Sequence, residues 1–209
     1  MLLNFVNNMI KGIIFDFGNV ISNFDNNIFL KKIAKHTEKT ISELNELIYQ
    51  KSDLVKKYET GLITSDEFFE SIVMLCNLKI SKEEFIKAYT SIFTPIKTTF
   101  DLIRKLKPNY RLALLSNTSE WDFNFGIKTT DIFNLFDAVI LSYEVKEMKP
   151  GKKLFLEAIN KLNLKPEECT YIDDIEEYVN AANQMGINSI LYKSYDILID
   201  ELRKLKVNI

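Results

Sequence analysis

The chain has 209 residues, 46% of them hydrophobic and 27% charged, with a formal net charge of −2. That length accommodates one core domain plus an insertion, and the composition is that of an ordinary globular protein. The near-neutral balance excludes the broad basic field of a nucleic-acid-binding protein, so no nucleic-acid partner is expected.

The first stretch, M-L-L-N-F-V-N-N-M-I-K-G, is apolar but short, broken by asparagines and without a basic leader. It reads as an extension into the first strand, neither a secretory signal nor a membrane span. Residues 11–17, K-G-I-I-F-D-F, form the first predicted strand, with Gly18 and Asn19 as turn residues behind it. D-F-G here is not the kinase motif, because only 15 residues precede Asp16 and the kinase signature needs three elements upstream.

Residues 22–96 carry helical periodicity and almost no strand signal. F-L-K-K-I-A-K-H and I-S-E-L-N-E-L-I-Y repeat apolar residues at helical spacing. Thr64 with Glu67, and Ser81 with Glu84, are capping-box pairs that open two more helices. This segment is therefore expected to be a four-helix insertion closed by Pro95.

Beyond Pro95 the pattern alternates. A helix at 97–107 ends before Pro108, and strand 110–116 (ending L-A-L-L-S) follows. Then come a strand at 137–142, a helix at 153–162, the strand C-T-Y-I-D-D, a helix closed by Gly186, the strand N-S-I-L-Y and a last helix. Strands alternating with helices of this length predict an α/β fold with a doubly wound parallel sheet. The core is expected to comprise residues 1–21 and 97–209, with 22–96 inserted. Cys76 and Cys169 are isolated from each other and are read as reduced thiols of a cytoplasmic protein.

Ligands of such sheets sit at the carboxyl ends of the strands. Asp16 lies at one such end, Ser116-Asn117-Thr118 at the next, Lys149 in the loop after the third, and Asp173-Asp174 after the fourth. Each has an ordinary explanation: Ser116 as a turn hydroxyl, Lys149 as an exposed lysine, Asp174 as a helix N-cap. Their joint occurrence in this order is the informative observation.

I-I-F-D-F-G-N-V, L-L-S-N-T, M-K-P and Y-I-D-D-I-E-E-Y-V-N-A-A-N-Q-M-G-I together resemble the four motifs of the haloacid dehalogenase-like hydrolase superfamily. The resemblance spans nearly the whole core, which it implies to be Rossmann-like, and the insertion resembles the superfamily's helical C1-type cap. The D-x-G-N-V variant is similar to that of bacterial sugar-phosphate phosphatases, glucose-1-phosphate phosphatases among them. The resemblance implies a Mg²⁺-dependent phosphatase acting on a small phosphorylated metabolite, with no protein or membrane partner indicated. It implies Asp16 as nucleophile, passing through an aspartyl-phosphate. Asp16, the Gly18 carbonyl and Asp174 would hold Mg²⁺, with Asp173 beside it, directly or through water. Ser116 and Asn117 would bind the phosphoryl oxygens, and Lys149 would offset charge between nucleophile and phosphate.

Gly18 departs from the pattern, since most phosphatases of the superfamily carry an acidic residue there to protonate the leaving group. A sugar 1-phosphate, which leaves as a hemiacetal oxygen, has less need of that acid. Two other functions fit the fold: a metal-free 2-haloacid dehalogenase, opposed by the Asp173-Asp174 pair, and a non-catalytic binding or regulatory protein, favoured only by Gly18. Outside the motifs, His36 reads as a solvated helix residue and Asp25 as an N-cap. Trp121 reads equally as a pocket floor or a packed aromatic.

Overall fold

In the computed structural model, which describes residues 9–209, the apolar run around Ile13 forms β1 (Gly12–Phe15), buried at all four positions. Most of the N-terminal extension lies outside the described residues. β2 (Ser22–Phe24) opens the insertion, which continues through α1 (Asn26–Ile33), α2 (Ile41–Asn45), α3 (Leu54–Glu59), α4 (Ser65–Cys76) and α5 (Lys82–Tyr89). β3 (Phe93–Pro95) then returns antiparallel to β2. The rest of the chain runs α6 (Lys97–Leu106), β4 (Arg111–Ser116), α7 (Glu120–Phe125), β5 (Ala138–Leu141), α8 (Ser142–Val145) and α9 (Lys152–Leu162). It ends with β6 (Cys169–Asp173), α10 (Glu176–Gln184), β7 (Asn188–Leu191) and α11 (Tyr195–Lys204).

The main sheet has the order β5-β4-β1-β6-β7, and every neighbouring pair is parallel. Alternation along β1 explains why both faces are covered. Ile13 and Phe15 join Ile103 and Leu106 of α6 and Leu198 and Leu202 of α11 in one core. Ile14 points the other way, into a core with Leu154 and Phe155 of α9 and Ala182 of α10. The expected doubly wound α/β sheet is therefore present, with its strand C-termini gathered at one edge.

The insertion has a core of its own, in which Phe29, Phe68, Phe85 and Tyr89 pack edge-to-face or stacked. The capping boxes at Thr64 and Ser81 form as predicted, and a third forms between Thr40 and Glu43. One expectation is corrected: the insertion holds five α-helices, not four. The additional helix, α3, has six residues, no side-chain cap and only Tyr58 fully buried, too little for a periodic signal. The β2–β3 ribbon was also not legible, because each strand is three residues long and mostly solvent-facing.

Cys76 lies in the insertion's core and Cys169 in the sheet's, both free and buried, with burial pushing their thiols up to about 11 and about 12. Among the described residues, no helix is long and apolar enough to cross a membrane.

Candidate active site

The carboxyl edge of β1 delivers Asp16. Its N–H donates to the Ile172 carbonyl of β6 at 2.9 Å, so the backbone is fixed by the sheet, and the residue is 7% exposed. The neighbouring strands supply the remaining predicted groups: Ser116 and Asn117 from β4, Asp173 and Asp174 from β6. The loop between α8 and α9 brings in Lys149.

Lys149 is the hub. Its Nζ donates to Asp16 Oδ1 and to Asp173 Oδ2, both at 2.7 Å, and the side chain is 1% exposed. The ammonium also stands 5.1 Å from the centroid of the Tyr178 ring. Asn117 fixes the lysine backbone from both sides: its Oδ1 accepts from the Lys149 N–H at 2.8 Å, and its Nδ2 donates to the Lys149 carbonyl at 3.3 Å. Among the described residues, the Ser116 hydroxyl makes only a long bond, 3.4 Å, to the Asn117 carbonyl. Lys149 is thus not the exposed lysine of the ordinary reading.

Nor is Asp174 a helix N-cap. The Ile175 N–H at the start of α10 donates to Asp173 Oδ1 at 2.8 Å instead. Asp174 Oδ2 accepts from Asn19 Nδ2 at 2.9 Å, and Asn19 adopts the left-handed backbone (φ 53°) that asparagine tolerates. Carboxylate oxygens of Asp16, Asp173 and Asp174 lie within 4.8 Å of one another. Three carboxylates opposite one ammonium leave an excess of negative charge. Burial, reinforced by Asp173 and opposed by Lys149, pushes the Asp16 carboxyl up to about 7. Burial works against the charge on Lys149, but Asp16 and Asp173 outweigh it and hold its pKa above the ordinary lysine value. This all-oxygen, charge-unbalanced donor set fits a hard divalent cation.

The structure brings into the site residues that the sequence analysis did not place there. The Tyr171 hydroxyl donates to Asp173 Oδ2, and Asn19 holds Asp174. Tyr171 stands two positions before Asp173 on β6, hence on the same face, which is the signal that marks it. Of the remaining candidates, Asp25 does cap α1, accepting from the Asn27 N–H at 2.9 Å. His36 faces the Lys79 carbonyl, 3.2 Å away, far along the insertion. Trp121 is packed inside the insertion's aromatic core rather than flooring a pocket.

A cavity of about 270 Å³ lies between the strand ends and the insertion. Gly18, Ser116 and Asn117 line it on the sheet side, and aromatic residues of the insertion, Phe24, Phe29 and Tyr49 among them, line it opposite.

Against known proteins, the chain is 25% identical over 190 residues to a D-ribitol-5-phosphate phosphatase of Bacteroides thetaiotaomicron, a match covering 87% of this chain and 91% of that protein. A solved HAD-family enzyme from the same organism, in complex with magnesium and inorganic phosphate, superposes with a TM-score of 0.79 at 27% identity, covering 88% of this chain and 94% of that one. A predicted HAD-like hydrolase from Porphyromonas gingivalis shares the fold, with a TM-score of 0.80 at 24% identity over 96% of this chain and all of that one. The sequence profile of the haloacid dehalogenase-like hydrolases matches residues 13–192, and the chain belongs to that family.

Proposed function

We propose that this protein is a Mg²⁺-dependent phosphatase of a small phosphorylated metabolite, a sugar phosphate, working through an aspartyl-phosphate on Asp16. The observation that carries the reading is the convergence of Asp16, Lys149, Asp173 and Asp174 beside a cavity closed by the insertion, residues 22–96, which acts as the cap. Asp16, the Gly18 carbonyl and Asp174 would hold the ion, with Asp173 beside it; when bound, Mg²⁺ offsets the charge that otherwise keeps a phosphate dianion from a carboxylate.

In the reaction, a carboxylate oxygen of Asp16 forms a bond to phosphorus as the ester P–O bond breaks, and the leaving oxygen takes a proton. Water then attacks the acyl phosphate, freeing inorganic phosphate and restoring Asp16. Lys149 holds Asp16 in place and counters charge on the phosphoryl group, while Ser116 and the Asn117 backbone amide bind its oxygens. With Gly18 in place of an acid, the proton for the leaving oxygen comes from water or from the cap. A metal-free dehalogenase would have no use for Asp174, which crowds a third carboxylate against the nucleophile.

The test is turnover of p-nitrophenyl phosphate and a sugar-phosphate panel, with and without Mg²⁺, by wild type and Asp16→Asn. Mg²⁺-dependent release of phosphate that disappears in Asp16→Asn is the expected result. Asp16→Asn activity within tenfold of wild type would sink the nucleophile assignment.

A further inference from the structure

The cavity between cap and sheet contains two carboxyl groups that the phosphoryl chemistry does not use. Asp122, on α7, is 6% exposed. Its Oδ2 accepts from the Ser119 hydroxyl at 2.8 Å, while its Oδ1, fully buried, has no partner within hydrogen-bond distance among the described residues, the nearby Tyr89 hydroxyl included. Asp122 Oδ1 and Thr99 Oγ1 are the two such side-chain oxygens, and of these Asp122 lines the cavity. Glu59, half-buried at the end of α3, lines it too. One carboxyl group thus comes from each side of the seam, into a chamber whose walls include the rings of Phe24, Phe29 and Phe93 and the hydroxyl-bearing Tyr49 and Tyr89.

A buried polar atom left unpartnered is costly, and in this cavity a ligand hydroxyl would supply the partner that Asp122 Oδ1 lacks. Burial, opposed by the Ser119 and Tyr89 hydroxyls and aided by Glu59, pushes Asp122 up to about 8, and burial pushes Glu59 up to about 7. Near neutral pH both groups therefore carry protons for much of the time. A protonated carboxyl both donates and accepts, which is the complement of a hydroxyl group. It also presents no charge to repel a phosphate bound at Ser116 and Asn117 in the same cavity. Apolar ring faces beside paired hydrogen-bonding groups suit a carbon chain that is hydroxylated along one side.

We propose that Glu59 and Asp122 form a specificity pair that takes up hydroxyl groups of a polyol leaving group. This rests on the phosphatase reading and assigns the residues that would recognise the hydroxyl groups of its sugar-phosphate substrate.

The experiment measures kcat/KM in Mg²⁺ for ribitol 5-phosphate, p-nitrophenyl phosphate and 2-aminoethyl phosphate. Variants are Asp122→Leu, Asp122→Asn, Glu59→Leu and Glu59→Gln. Each leucine variant should lower the ratio of the polyol ester to p-nitrophenyl phosphate by about 10- to 100-fold, the size of one or two lost hydrogen bonds. The amides, which keep a donor and an acceptor, should restore most of that ratio. A parallel fall on both esters would show Asp122 acting only through the Ser119 cap and would overturn the proposal. So would a loss largest on 2-aminoethyl phosphate that the amides fail to rescue, which would make the pair a counter-charge for an ammonium group. Should Asp122→Leu not fold, the Glu59 variants read the same ratio. Wild-type turnover of p-nitrophenyl phosphate with no change of ratio in any variant refutes the specificity pair alone. No turnover of any ester refutes the phosphatase reading beneath it.

Discussion

Replacing Lys149 by methionine keeps the length of the side chain and deletes the charge that Asp16 and Asp173 share. Both carboxylates are within 2.7 Å of the ammonium, and the side-chain exposures are 1% for Lys149, 10% for Asp16 and 0% for Asp173. Two buried carboxylates left without a cation cannot both remain ionised, so at least one takes a proton from solvent. Asp16 already sits at about 7, so protonating it at pH 7.5 costs only about 0.7 kcal/mol. The larger part of the loss is Asp173 left buried without its cation, and buried pairs broken from one side lose about 3–5 kcal/mol. Urea unfolding in EDTA should therefore show Lys149→Met less stable than wild type by about 3–5 kcal/mol at pH 8.

The sign of the pH dependence follows from the direction of the shift. Asp16 already sits at about 7, and losing Lys149 removes the influence that lowers it. Wild type takes up the same proton below about pH 7, so the two differ above that value, where only the variant stays protonated and its loss grows as pH rises, by about 1.4 kcal/mol per unit and proton. A loss below about 1 kcal/mol at pH 8, or a loss that does not shrink from pH 9 toward pH 7, would refute the shared-cation account.

Two further substitutions probe the same edge of the sheet. Asp174→Ala should weaken Mg²⁺ binding at least tenfold in calorimetric titration. Its stability in EDTA should fall by no more than about 1 kcal/mol, since the lost Asn19 bond is offset by relief of like charge; an unchanged Mg²⁺ titration would remove Asp174 from the metal site. Gly18→Asp places a Cβ 3.2 Å from the Phe24 ring, which is 44% exposed on a three-residue strand and so has room to swing aside. A folded variant should gain about 10²–10⁴ in rate on a sugar 6-phosphate and far less on p-nitrophenyl phosphate. No selective gain would mean that the missing acid is supplied elsewhere.

What could be read from the sequence tracks how local each determinant is. β1, β4 and β6 are legible because a strand covered on both faces is a continuous apolar run, and the polar residues that end it stand out against it. Thr64 and Ser81 announce their helices through partners three residues on. α3 and the β2–β3 ribbon are held by tertiary contacts rather than by pattern, and they leave no comparable trace. Asp16, Ser116, Asn117, Asp173 and Asp174 are brought to one edge of the sheet because the parallel topology delivers strand ends there, and the loop between α8 and α9 adds Lys149. Glu59 and Asp122 were not legible for the opposite reason. They meet only where the insertion closes on α7, a distance relation between segments 63 residues apart that no periodicity encodes.

Trp121 stands five residues after Ser116, yet its ring packs with Tyr58, Phe68, Phe85 and Tyr89, at centroid distances of 5.6 to 6.2 Å, and its backbone N–H donates to the Tyr58 hydroxyl at 3.2 Å. The insertion is consequently not a portable module bounded by its ribbon. Excising it at residues 22 and 96 would strand a bare indole beside the second motif and leave an indole-sized void in the excised piece. Grafting a relative's cap onto this core calls for exchanging position 121 along with it. For the same reason, residue 121 and the aromatic positions 58, 68, 85 and 89 should change together, rather than singly, as the family diverges.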